Sequence, residues 1–466
     1  MHLLRSAAAA VLSCALVLSI GPLGPADAVA PASGSAVVRA DDATGVAAKP
    51  KKPKKPPYVV RPGVTFNSAT GTRAAKRRIY DKILGAIRHA RPGSQIKIMS
   101  WNFMSAEATS ALLRAQRRGA VVRVLIDASN NDEDTPNPSF QRLQRELARQ
   151  NGKKRPARRS EAKMCVGSCR STGGTAHSKF FLFSRTGKSR HVFMQGSANL
   201  TVAAAINQWN DMFTFVDKPK LYAFADGVFD EAWKDEPVRD PYVSFQAGRF
   251  GMYFSPYKGR NFTADPVQSA MDQIRCRGAV NAGNARGRTI VRSAPDVIRG
   301  KRGMIAAKRL KKLWDSGCDV RIAYTVMGVD VRRVLRGQWG RGPVPMRHLV
   351  QDFDGDGDFD NYFHMKVLTI NGVLGKDKSA YLVFNGSSNT SDLATWSDEN
   401  IGSIRGKNYT LKYQEHIDYW FDNAPTDGCV GERKDRGLCG TGGNTVGGAA
   451  ARRSWLADPY VNVDLD

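Results

Sequence analysis

After its first thirty residues the chain holds no apolar run long enough to span a bilayer. Acidic residues are scarce: 43 Asp and Glu face 70 Lys and Arg, a formal net charge of +27. Such a field draws in polyanions and anionic membrane surfaces and does not bear on the fold. It favours phosphate-bearing partners, whether nucleic acid or an acidic lipid surface. Cysteine is also sparse, with 7 in the chain. "CVGSC" has no second close pair that would complete a four-ligand zinc site, so disulfides are the better reading of Cys165, Cys169, Cys276, Cys318, Cys429 and Cys439. Short loops favour Cys165 with Cys169 and Cys429 with Cys439, which leaves Cys276 with Cys318. Histidines number 7, few enough that each setting can be weighed.

What the chain does have begins with a leader. Residues 1–30 combine one early Arg, an Ala/Leu/Val-rich stretch carrying Cys14, and small residues at Ala26, Ala28 and Ala30, the pattern of a cleavable export signal; an uncleaved anchor is the alternative. Arg5 and Asp27 cancel, so the mature chain keeps the full charge. The expected localisation is secreted. Residues 31–57 end in "KPKKPKKPP", where repeated Pro excludes helix and central strand and the lysines repel one another, so an extended disordered basic linker is expected.

The rest of the chain repeats itself. In residues 94–129 a buried strand ("SQIKIMSWNF"), a helix capped by Ser105 and a second strand ("VVRVLIDAS") follow one another. Residues 288–328 give the same succession, "RTIVRSAP", a helix through "GMIAAKRLKKLWDSG" and "DVRIAYTVMG". Two βαβ-type units with mainly parallel pairing are expected. Farther along each half comes His-x-Lys at the head of an apolar run, a hairpin, a second apolar run, and Gly-Ser-x-Asn. The first copy is His177, Lys179, Ser197 and Asn199; the second is His364, Lys366, Ser387 and Asn389. Alternation on a strand puts residues i and i+2 on one face, so each His lies with its Lys.

One His-x-Lys has little meaning; two, each followed by Gly-Ser-x-Asn within a repeat, identify the chain as resembling the phospholipase D superfamily, in particular its secreted bacterial members. The resemblance runs from about residue 61 to the region of Trp420. It implies an α/β fold of two similar sandwich-like halves, mixed sheets flanked by helices and related by a pseudo-two-fold, with the active site at their interface. The halves are expected at residues 58–245 and 246–425, followed by a disulfide-bearing tail at 426–466. The family Asp five residues after each motif Lys is absent, since Ser184 and Asn371 stand there; an inactive relative is therefore one alternative.

The implied chemistry is phosphodiester hydrolysis or transfer, first on phospholipid. Lys179, Lys366, Ser197, Ser387, Asn199 and Asn389 would surround the phosphate and counter the charge of its transition state. The resemblance makes His177 the nucleophile, forming a phosphohistidine, and His364 the acid and base, with the reverse assignment open. Acidic residues after each Gly-Ser-x-Asn should orient the imidazoles across the halves, Glu399 to His177 and Asp211 to His364, with Asp398 a rival of Glu399. His2, His89, His191, His348 and His416 have no comparable setting, and the sequons at Asn199, Asn385 and Asn389 overlap the motifs and read as coincidental. A nuclease and a non-catalytic polyanion-binding protein are the competing readings. A monomer with no obligate protein partner is implied.

One acidic stretch interrupts the basic chain. Asp352, Asp354, Asp356 and Gly357 follow the pattern of a calcium loop, but Phe363 stands where the bidentate Glu belongs and a strand follows, which argues against an EF-hand. A looser structural calcium site on Asp352, Asp354, Asp356 and Asp360 and a solvated loop beside the active-site mouth are the two readings. The chemistry itself needs no cofactor on the family mechanism.

Overall fold

The computed structural model describes residues 56–257, 264–353 and 359–425. The leader, most of the linker, the tail with Cys429 and Cys439, and Asp354 and Asp356 of the calcium reading lie outside the described residues.

The first hairpin explains the layering. In "FFLF" at the start of strand Phe180–Thr186, Phe181 and Phe183 join one apolar cluster while Phe180 and Leu182 join another. A strand that is apolar at every position must be covered on both faces. The first cluster packs helices Arg78–Arg88, Ala106–Arg117 and Pro138–Arg149 onto the sheet through Ile83, Ile87, Leu112, Phe140 and Leu143. Ser105 caps the second of these helices, accepting from the Ala108 amide. The sheet has seven strands in the order Gly63–Phe66, Asp211–Phe215, Ser189–Gly196, Phe180–Thr186, Gln95–Met99, Val121–Asp127, Glu161–Cys165.

A second, nine-stranded sheet runs Val243–Ala247, Phe250–Phe254, Asn400–Arg405, Asp377–Gly386, Lys366–Leu374, Ile290–Pro295, Asp319–Tyr324, Met346–His348, with the short Ile274–Arg275 pairing Lys366–Leu374 from the side. Leu368 and Ile370 face a cluster covered by helices Pro266–Asp272, Gly300–Asp315 and Val329–Leu335. The remaining apolar faces of both sheets enter a single cluster, in which Phe180, Phe193 and Phe213 meet Met252, Val367 and Val383 together with Tyr413 and Ile417 of helix Lys407–Asp422.

The architecture of the described residues is thus α/β, with two large mixed sheets and three small ones of two or three strands. The parallel pairing expected of the two βαβ-type units is present, and the sheets around them are mixed. Parallel pairs join Gln95–Met99 to Val121–Asp127 to Glu161–Cys165, and Ile290–Pro295 to Asp319–Tyr324 to Met346–His348. The motif-bearing hairpins and the strands beside them are antiparallel. A turn as short as the one between Thr186 and Ser189 can connect strands only in that sense. Among the described residues no helix is long and apolar enough to cross a membrane.

Two disulfides are formed, Cys165–Cys169 and Cys276–Cys318, at sequence separations of 4 and 42. Loop-closure entropy ranks them at ~2 kcal/mol for the short loop and ~4 kcal/mol for the long one. Replacing Cys276 and Cys318 together by Ala should therefore lower the urea midpoint more than the same change at Cys165 and Cys169. Equal losses would mean that native packing, not chain entropy, sets their contributions.

Candidate active site

Each motif histidine stands just before the first strand of its hairpin: His177 ahead of Phe180–Thr186 and His364 ahead of Lys366–Leu374. Each second strand ends on the Gly of Gly-Ser-x-Asn, at Gly196 and Gly386. These glycines have a steric cause. A Cβ on Gly196 would run into the Asp211 carbonyl oxygen, and one on Gly386 into that of Asn400. The neighbouring strands can come this close only against a bare backbone.

That approach seats the serines. Ser197 Oγ donates to Asn210 Oδ1 at 2.7 Å and accepts from the Asp211 amide at 3.1 Å. Ser387 Oγ donates to Glu399 Oε2 and accepts from the Asn400 amide at 2.9 Å. Expected against the phosphate, both hydroxyls instead spend donor and acceptor on the residues that hold the histidines. Asn199 and Asn389 turn their Oδ1 to the ends of neighbouring strands, accepting from the amides of Asn102 at 3.4 Å and Val297 at 3.3 Å.

His177 Nδ1 meets Glu399 Oε1 at 2.9 Å, with both side chains fully buried. Lys179 Nζ lies 2.6 Å from His177 Nε2, and Trp101 stands edge-on to the imidazole at 5.8 Å between ring centres. The Glu399 expectation thus agrees with the geometry. Its rival Asp398 accepts from the Cys169 amide at 2.5 Å and so fastens the short disulfide loop to the second half.

The expectation for Asp211 is corrected. His364 Nδ1 bonds Asn210 Oδ1 at 2.7 Å, one residue earlier. Asp211 accepts from Asn385 Nδ2 at 2.6 Å and from the Tyr413 hydroxyl at 2.8 Å. Asn210 directly precedes strand Asp211–Phe215 just as Glu399 directly precedes Asn400–Arg405. The residue before the strand faces the imidazole, and the next points into the seam between the halves. There Asn400 Oδ1 accepts from the Lys179 amide at 2.7 Å, Asn400 Nδ2 donates to Gln195 at 2.9 Å, and Gln195 Nε2 donates to Asn385 at 2.7 Å. Lys366 Nζ binds a residue the sequence did not single out, Asp296 Oδ2, at 2.9 Å.

The positions that lack the family Asp still brace the scaffold. Ser184 Oγ accepts from the Gln95 amide at 2.8 Å, and Asn371 Oδ1 from the Gly283 amide at 2.7 Å. The sequon asparagines Asn199, Asn385 and Asn389 are all buried. His348 is exposed at the end of its strand, and the half-buried His416 is pushed down to about 3 by desolvation. Of the calcium residues, Asp360 Oδ2 accepts from the Phe353 amide at 2.5 Å.

Residues 83–233 match the family model described as cardiolipin synthase, PLD-like domain, which places that segment of the chain in the phospholipase D superfamily. No curated protein matches the sequence. Among solved structures, the chain is similar to a phosphatidylserine synthase of Haemophilus influenzae Rd KW20, at 12% identity and TM-score 0.50, covering 77% of this chain and 86% of that one; this likeness is one of fold. A polyphosphate kinase from Porphyromonas gingivalis matches at 12% identity and TM-score 0.48 over 86% of this chain, which spans 56% of the kinase's length. Nuc from Salmonella typhimurium, a phospholipase D family member, matches at 19% identity and TM-score 0.28, covering 38% of this chain and 96% of its own.

Burial of the seam has a consequence for stability. The Asp211 carboxyl is pushed up to about 6, chiefly by desolvation, against the opposing pull of Asn385, Tyr413 and Lys366. Burial likewise takes Asp398 up to about 7. A carboxyl whose folded-state value is raised stabilises most below its unfolded value and loses that contribution as pH rises through the folded one. Asp211→Asn should therefore flatten the decline in melting temperature between pH 4 and 7, an effect of up to about 3 kcal/mol at roughly 1.4 kcal/mol per unit. If the variant declines as steeply as the parent, Asp211 is not a source of the slope.

Proposed function

We propose that the protein is a secreted phosphodiesterase of phospholipase D type. The observation that carries this reading is the pair of buried imidazoles, each with Nδ1 fixed by a residue of the other half and each accompanied by its motif lysine. The reading takes the halves as related by a pseudo-two-fold, at residues 58–245 and 246–425, and the substrate as a phospholipid. The disulfides support maturation outside a reducing cytosol.

With Nδ1–H donated to Glu399, the Nε2 lone pair of His177 attacks phosphorus. Lys179 and Lys366, with the amide groups of Asn199 and Asn389, counter the charge on the phosphoryl oxygens. The bond to the leaving alkoxide breaks as His364 delivers a proton to it. His364 then takes a proton from water, whose oxygen attacks phosphorus and frees His177; an alcohol in place of water gives transfer.

His177→Ala and His364→Ala should each lower turnover of phosphatidylcholine by several orders of magnitude while the fold stays intact, since each removes a whole covalent or proton-transfer step. A substrate with an activated leaving group should rescue His364→Ala and not His177→Ala. Near-normal turnover by His364→Ala on the ordinary lipid would overturn the assignment.

The net charge of +27 favours one rival, a nuclease using the same residues. The protein offered phosphatidylcholine, phosphatidylglycerol and DNA across a salt series separates the two. Lipid turnover is expected, little changed by deleting residues 31–57. DNA cleavage without lipid turnover, with binding that falls at a log–log slope of about −0.9 per phosphate contacted, would replace lipid by nucleic acid. No cofactor is assigned to the chemistry, so EDTA should leave turnover intact; a fall in melting temperature alone would fit structural calcium at the Asp352 to Asp360 loop.

A further inference from the structure

The two histidines meet opposite surroundings at Nε2. On Nδ1 both face acceptors. The Asn210 amide is fixed in orientation, since its Nδ2 donates to Ala204 O at 3.3 Å and Gln208 Oε1 at 3.2 Å, so Oδ1 is the atom turned to His364. On Nε2 they differ. His177 meets the ammonium of Lys179, which has only protons to offer, so Nε2 there presents a lone pair. His364 Nε2 lies 3.8 Å from Asp296 Oδ2, a carboxylate oxygen that can only accept from it.

Asp296 is placed there by its main chain. Its amide donates to Met365 O at 2.7 Å, and its carbonyl accepts from the Val326 amide at 2.7 Å. Its side chain is fully buried. The matching position in the first half is Trp101. Phe103 pairs Leu200 and Ile298 pairs Thr390, each partner directly following a motif Asn, and Trp101 and Asp296 stand two residues before Phe103 and Ile298. An aromatic ring beside His177 and Lys179 is thus exchanged for a carboxylate beside His364 and Lys366.

We propose that Asp296 is a positioning residue that keeps His364 protonated at Nε2, supplying from that edge of the ring the negative charge that Asn210 does not supply at Nδ1. This rests on the reading of His364 as the proton donor above. Other groups about His364 include Lys366, whose Nζ donates to the His364 carbonyl at 3.1 Å, and Tyr362, whose ring is edge-on at 5.7 Å, and Asp211 lies within reach of the Lys366 charge. Lys366 opposes protonation of the imidazole, and the carboxylate that pairs with Lys366 offsets it.

The test is the titration of histidine labelled with 13C at Cε1, followed by NMR in the full chain, with His364 assigned by its loss in His364→Gln. Asp296→Asn should lower the His364 midpoint by about 1 pH unit or more, the size expected for an opposite charge within 4–6 Å. It should leave His177 in place. Asn210→Asp should raise the His364 midpoint, and Asp296→Glu should restore it. The basic limb of the pH–rate profile on phosphatidylcholine should follow: downward in pH for Asp296→Asn, upward for Asn210→Asp. An unmoved His364 midpoint in Asp296→Asn, with turnover lowered equally at every pH, would reduce Asp296 to a structural role and overturn the proposal. Absence of turnover on any diester would count against the phospholipase D reading instead, and the titration would still decide the role of Asp296. Should Asp296→Asn fail to fold, Asn210→Asp carries the same test with the opposite sign, and no upward shift there would overturn it.

Discussion

The hydrogen bonds that cross between the two halves are the constraint on which the rest of the molecule depends. His177, Lys179, Gln195, Asn210, Asp211, Asp296, His364, Lys366, Asn385, Glu399 and Asn400 are all buried. Buried polar groups are costly unless paired, and many of these find partners only in the other half: Glu399 for His177, Asn210 for His364, Asn400 for the Lys179 amide, Asn385 for Asp211. The apolar cluster shared by the two sheets supplies most of the attraction, but it is tolerant of small slides. The polar seam is not, since a shift of an ångström would break several bonds at once. Positioning of the imidazoles is therefore a consequence of satisfying the seam, and the site sits on strand ends rather than on long loops because only there can both halves contribute.

Much of this was legible in the sequence wherever a local pattern has a local cause. His-x-Lys and Gly-Ser-x-Asn are spaced by a hairpin, so their assembly follows from strand geometry. Ser105 caps its helix, the Cys165–Cys169 pair follows from loop length, and Cys276–Cys318 was what that pairing left. The anchor of His364 was misplaced by one residue because an acid was sought where the fold uses an amide. The better signal was position: Asn210 lies 13 residues after Ser197, close to the 12 that separate Glu399 from Ser387, and each immediately precedes its strand. Asp296 had no signal at all. It reaches Lys366 across a sequence separation of 70, through the pairing of strand Ile290–Pro295 with Lys366–Leu374, which only the folded sheet reveals.

The motif serines carry a related lesson. Beside Asn residues that the resemblance assigns to phosphate, they read as phosphate ligands too. The close approach at Gly196 and Gly386 turns them to the anchors instead. A Ser in that place does double service, holding the strand through a backbone amide and fixing which oxygen of the anchor faces the ring.

The two halves repeat their scaffold and differ in their chemistry. Near His177 the variable positions are Glu399 and Trp101; near His364 they are Asn210 and Asp296. Attack by an imidazole builds positive charge on the ring as the bond to phosphorus forms, so a carboxylate on its far nitrogen stabilises the product of that step. Donation of a proton requires the opposite starting state, an imidazolium, and with a neutral amide on the far nitrogen the negative charge that favours it has to come from another edge of the ring, where Asp296 stands. A repeat with two identical sites would set both rings to the same compromise. Environments that push two titratable groups apart are what separate the roles of acid and nucleophile; on the proposed reading of His177 and His364, that separation is made by the residue before one strand and the residue after another.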